Sequence, residues 1–150
     1  MPKFKFRLAT LLRLREATRD QRRTHLAQAY QADEILRQQQ EQLKQTLAKL
    51  SAGGRDMSGP GEIDIDRLLE AQRFELVLRT RQQQIRTQRD AVAGEINQRQ
   101  EALVHANRRV RVLEKLREKQ LRRYREEENR REIKQLDEVA GQRVRAEDVR

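Results

Sequence analysis

The chain has 150 residues, with 34 Lys plus Arg against 24 Asp plus Glu, a formal net charge of +10, and neither Cys nor Trp. Charged residues make up 39% of it, apolar residues 35% and aromatics 3%, where a compact globule draws on roughly 45–50% apolar residues. That shortfall excludes an enclosed core, and with it a pocket enzyme; the abundance of Leu, Gln, Arg, Glu and Ala speaks for long helices rather than disorder.

The first arm opens basic and apolar. Phe4, Leu8, Leu11, Leu12 and Leu14 share one helical face, although Arg13 and Arg15 interrupt the apolar run. No small-residue cleavage site follows, so no signal peptide is expected. Further on, steps of three and four through Leu26, Ala29, Asp33, Leu36, Gln40, Leu43, Leu47 and Leu50 form a heptad seam, six of its eight positions apolar. Arg15, Arg19 and Arg22 fall on the upstream seam positions, where pairing is expected to weaken.

Residues 51–62 hold four of the six glycines and one of the two prolines, which reads as a turn. Asp64 or Asp66 can cap the helix after it. The second arm carries a longer seam: Leu78, Gln82, Ile85, Arg89, Val92, Ile96, Arg99, Leu103, Ala106, Val110, Leu113, Arg117, Gln120 and Tyr124, nine of fourteen apolar. The economical solution is an all-α fold, a long antiparallel two-helix coiled-coil hairpin whose second helix is the longer. The expected bounds of this single domain are 4–50 for the first helix, 51–62 for the turn, 63–140 for the second helix with a possible break near 77, and 141–150 for a tail that Gly141 begins. At 1.5 Å per residue the arms would reach about 65 and about 115 Å, so one must overhang. Residues 113–138 suit the overhang, with few apolar side chains and acid–base spacings at Glu118–Arg122, Glu126–Arg130 and Glu127–Arg131.

Chemistry finds little purchase. Without Cys there is no disulfide, thiolate zinc site or thiol nucleophile, which fits a reducing compartment. His25 and His105 on different arms make a poor metal site without a carboxylate cluster. Gly53, Gly54, Gly59 and Gly61 are not followed by the Lys-Ser/Thr of a phosphate loop. Carboxylates are plentiful, but general acid–base work needs a desolvating interior to move their pKa. We expect no enzyme, no cofactor, no metal and no small-molecule substrate. No stretch approaches the roughly 20 apolar residues that cross a bilayer.

Charge is unevenly placed: residues 1–23 are net +6, residues 99–131 net +6 and residues 51–77 net −3. In a hairpin the positive stretches come together toward the termini. A positive end draws polyanions, so a basic nucleic-acid-binding coiled coil is an alternative. Interleaved acids and only five aromatics argue against it. A membrane contact through Phe4, Phe6 and Leu8 with Lys3, Lys5 and Arg7 ranks third.

The opening Phe4-Lys-Phe-Arg-Leu-Ala-Thr-Leu-Leu-Arg-Leu-Arg-Glu16 resembles the start of the FliJ family, the coiled-coil proteins of bacterial flagellar type III export. So do Val112-Leu-Glu-Lys-Leu-Arg-Glu-Lys-Gln-Leu121 with Tyr124, then Glu128-Asn-Arg-Arg-Glu132 and Leu136-Asp-Glu138. The resemblance spans nearly the full length, in order. It implies an antiparallel stalk that docks in the ring of the flagellar export ATPase, contacts the cytoplasmic part of the membrane export gate and escorts export chaperones. Such a protein would be cytoplasmic and peripheral on the cytoplasmic side of the cell membrane. The equivalent stalk of a virulence injectisome shares the architecture. Under this reading the ATPase-ring contacts are Arg13, Arg15, Arg108, Arg109, Arg117, Arg122 and Arg123, acting electrostatically. The export-gate contacts are Leu47, Leu50, Phe74 and Leu78, with Phe74 the best single choice because it sits off the seam.

Overall fold

A computed structural model describes residues 3–57, 61 and 64–150. It holds two helices, α1 (Ala9–Met57, 49 residues) and α2 (Ile65–Asp148, 84 residues), and no strand among the described residues. The all-α hairpin with the longer second helix is the fold found.

The helix ends differ from expectation. Residues 3–6 are not helical, and α1 begins at Ala9, whose N–H donates to the Phe6 carbonyl at 3.2 Å. The Lys-Phe-Lys-Phe-Arg alternation explains this: Phe4 and Phe6 are half-buried while Lys3, Lys5 and Arg7 are exposed, the two-residue period of an extended segment. Leu8 and Leu14, expected on the packed face, are instead 37% and 60% exposed.

At the other end α1 runs past Leu50, through Gly53 and Gly54, to Met57. A glycine costs a helix about 1 kcal/mol, which does not stop one that is already propagating. The rest of the expected turn at 58–60 and 62, and the expected helix start at Ile63, lie outside the described residues. Asp64 caps α2: its Oδ1 accepts from the N–H of Asp66 at 3.1 Å and of Arg67 at 3.4 Å. The helix then passes residue 77 unbroken and continues through Gly141 to Asp148. No described residue has a positive φ, so Gly141 is an ordinary helical residue and not a left-handed stop.

Contacts divide the chain into two units, residues 1–20 with 105–150, and residues 21–104. In the first unit Leu12, Val110 and Leu113 are buried, with Phe6 and Leu11 packed against them. The Phe4 ring meets Tyr124 at 5.7 Å between centroids, tilted by 48°. Stepping back from Leu12 to Phe4 thus matches stepping forward from Val110 to Tyr124, an antiparallel pairing. Arg117 and Gln120, expected on the seam, are exposed, because the partner chain at this level is the slim extended segment and not a helix. Packing nevertheless persists through half-buried Leu116, Leu121 and Tyr124. The unpacked part therefore starts after Glu128, where every residue is exposed, and not at 113. There Arg131 pairs with Glu128 at 3.2 Å and not with Glu127.

In the second unit the seam follows the heptads. All eight α1 positions from Leu26 to Leu50 and all eight α2 positions from Leu78 to Leu103 are buried or half-buried. Ala29, Leu78 and Ile85 are the most enclosed, at 5%, 8% and 3% exposure. Gly94, also in α2, has open space where a Cβ would stand. Gly94→Ala is expected to raise unfolding stability by about 1 kcal/mol, through helix propensity alone, in urea melts followed by helical circular dichroism.

Candidate functional site

The first unit concentrates the charge. Residues 1–20 and 105–150 hold 21 basic and 12 acidic residues, a net of +9, against 13 and 12 in residues 21–104, a net of +1. All seven arginines expected at the ring contact lie in this first unit, six exposed and Arg15 half-buried.

The structure brings two of them together. Arg13 from α1 and Arg117 from α2 line an open groove of about 250 Å³ with Phe4, Phe6, Ala9, Leu12 and Glu16. Arg117 is available because it has left the seam, and Phe4 and Phe6 are available because the segment before α1 is extended. An apolar floor flanked by two guanidiniums suits an apolar anchor with a carboxylate beside it. Arg108, Arg109, Arg122 and Arg123 lie outside that groove.

The residues expected at the gate contact fall in the second unit. Leu78 is buried at 8% exposure, and Leu47 and Leu50 are half-buried at seam positions, so all three are spent on pairing. Phe74 is 50% exposed, and it is not alone: Ile65, Leu76 and Val77 are 67%, 67% and 62% exposed. The sequence signal for these was the run Phe74-Glu-Leu-Val-Leu78, which holds more apolar residues than one seam can use.

One feature of this unit escaped sequence reasoning. Arg89 reaches across from α2 to grip Asp33, Nε to Oδ1 at 3.0 Å and Nη2 to Oδ2 at 3.4 Å, while Nη1 donates to Gln40 Oε1 at 2.9 Å. Three polar seam positions thereby satisfy one another beside an open cleft that also touches Arg86, Asp90, Ala93 and Ile96. Arg99 makes a second polar crossing, donating from Nη1 to the His25 carbonyl at 2.6 Å. The clue was an acid on one arm and a base on the other, both on seam positions, but only the register pairs them. On the surface, Arg37 forks onto Glu34 at 2.7 and 2.8 Å and holds that carboxyl below its usual pKa. Both groups are open to water, so the pair is structural trim.

Among the described residues no group of three or more His, Cys, Asp and Glu is placed to hold a metal. No described helix is long and apolar enough to cross a membrane.

Asp33→Ala is expected to cost about 1 kcal/mol in urea unfolding, since Asp33 and Arg89 are only two-thirds shielded and water screens part of the loss. The paired change Asp33→Leu with Arg89→Leu should recover that loss, while disulfide crosslinking between cysteines introduced on the two helices reports a mixture of registers.

A family model described as Flagellar FliJ protein matches residues 4–148. No curated protein and no solved structure matches the chain.

Proposed function

The chain belongs to the flagellar FliJ protein family, and on that premise we propose that it is a non-catalytic stalk of the flagellar export apparatus. It docks in the ring of the export ATPase, links that ring to the cytoplasmic part of the membrane export gate and escorts export chaperones, working on the cytoplasmic side of the cell membrane. The flagellar assignment is preferred to an injectisome stalk because the matched family is flagellar.

The observation that carries the reading is the segregation of charge. A unit with a net charge of +9 and an open groove, not an enclosed cavity, is built to be held by an electronegative partner. Within it Arg13 and Arg117 flank an apolar floor, the arrangement that takes an anchor residue from a ring lumen. Arg15, Arg108, Arg109, Arg122 and Arg123 add long-range attraction. In the other unit Phe74, exposed among apolar neighbours, is the gate anchor; Leu47, Leu50 and Leu78 support it from the seam.

The deciding experiment adds purified protein to its cognate ATPase and follows hydrolysis and ring formation at rising salt. Stimulation at stoichiometric protein that fades with ionic strength is expected. Arg13→Glu with Arg117→Glu should weaken the effect at least about tenfold. An ATPase indifferent to the chain at low salt rejects the reading. Phe74→Ala should reduce capture of the cytoplasmic part of the gate by about tenfold while leaving ATPase stimulation intact; an unchanged capture removes Phe74 from the contact.

A further inference from the structure

We propose that the outer face of α2 from Arg108 to Arg122 is a docking strip for the anionic headgroups of a membrane surface. Arg108, Arg111, Lys115, Lys119 and Arg122 follow one another at steps of three, four, four and three residues. That spacing keeps them within a stripe about 80° wide on the helix. The stripe is about 21 Å long at 1.5 Å per residue. Its back is the packed side of α2, where Ala106, Val110 and Leu113 are buried. All five cations are exposed, and none has an ion-pair partner among the described residues. No carboxylate falls within the stripe until Glu126; Glu118 borders it about 20° beyond Arg111, and Glu114 stands about 60° beyond. At the opposite edge from Glu118, about 20° beyond Lys119, Val112 is 66% exposed.

Each property fits a charged plane. A helix lying on a flat surface touches it along one narrow line, and mobile headgroups can gather beneath cations spaced about 5–6 Å apart. The cations surrender no internal partner on docking. Their long apolar stems and Val112 can settle at the boundary between headgroups and acyl chains.

Nucleic acid fits less well. None of the five aromatics lies on the stripe: Phe4 meets Tyr124 in a tilted contact, Phe6 packs on the core, and Tyr30 and Phe74 belong to the other unit. Single strands would find no stacking platform. A duplex curves away from a straight stripe, so fewer of the five cations would reach its phosphates at once.

This surface goes beyond the stalk reading, because Arg111, Lys115 and Lys119 have no part in the ring contact. Arg108 and Arg122 serve both surfaces, so ring and membrane compete for them.

The test is co-sedimentation of the full chain with phosphatidylcholine vesicles, with or without about 30% phosphatidylglycerol, at about 50 and about 300 mM salt. The protein should partition onto the anionic vesicles alone, and less at the higher salt. Each cation near such a surface multiplies partition about fivefold, so Arg111→Gln with Lys115→Gln and Lys119→Gln should lower it roughly 100-fold. Glutamine is a good helix former, and unchanged circular dichroism will show that the fold is intact. The same variant should stimulate the ATPase as the parent does, which separates this strip from the ring contact. A control that removes three cations elsewhere, Lys44→Gln with Arg73→Gln and Arg81→Gln, should leave partition nearly unchanged. The proposal is overturned by equal partition onto neutral vesicles or by equal losses in the two triple variants. It also falls if single-stranded RNA displaces the protein from vesicles at the higher salt.

Discussion

Within each of the two units a narrow strip of side-chain contact carries the packing, and nearly everything else follows from how narrow that strip is. A seam residue in a two-helix pairing meets only the helix opposite, so few side chains leave water altogether. Among the described residues Val110 and Ile85, at 2% and 3% exposure, are the deepest of seven buried side chains, and none of the seven is polar. About two positions in each heptad serve the seam and the other five are released to the solvent. A chain built this way can carry 39% charged residues without disturbing its packing. Among the described residues no polar or charged side chain is buried, so the charge lies at the surface.

A seam of repeated leucines has a weakness that explains the polar residues inside it. Sliding one helix by a heptad would put leucine against leucine again at similar burial, so apolar contact alone does not choose among registers. The Asp33–Arg89–Gln40 cluster does discriminate, because a slip of seven residues would exchange one of the two Arg89 contacts for a leucine, Asp33 for Leu47 or Gln40 for Leu26. The desolvation cost of the pair stays modest since each partner keeps about a third of its exposure. Its contribution is better measured in uniqueness of pairing than in stability.

Those same facts set what could be read from the sequence. The heptad period located sixteen seam positions of residues 21–104 correctly, because burial there depends only on which face of a helix a residue occupies. It failed where the partner is not a helix. Phe4 looked like the start of a helical face with Leu8 and Leu11, yet the alternation of Phe4 and Phe6 with Lys3, Lys5 and Arg7 is the signature of an extended strip. That strip also leaves Arg117 out of the seam and in reach of Arg13. Glycine misled in the other direction: Gly53, Gly54 and Gly141 each carry a propensity penalty, but neighbours such as Leu50, Ala52, Val139 and Ala140 outweigh it. The groove and the ion-paired cluster were out of reach for a different reason, since both join residues from different helices and need the register first.

The cations of the first unit show the last consequence. Elsewhere this chain neutralises its arginines locally, at Glu34–Arg37, Glu75–Arg79 and Glu95–Arg99. Between Arg108 and Arg122 the outward stripe sets Arg108 near Arg111, Arg111 near Lys115, Lys115 near Lys119, and Lys119 near Arg122, with Glu114 and Glu118 along its flank. Each such like-charge neighbour costs an exposed helix about 0.2–0.5 kcal/mol, so the four together cost about 1–2 kcal/mol, which Glu114 and Glu118 offset only in part. Folding gains nothing from the arrangement, because these side chains touch neither the seam nor one another's opposites. A helix that accepts self-repulsion on its outward face, and on the unit that already carries a net charge of +9, is stable in that form only by virtue of its inward face. The repulsion is relieved when a negatively charged surface is brought against it, and the same chemistry that weakens the free helix then strengthens the bound one.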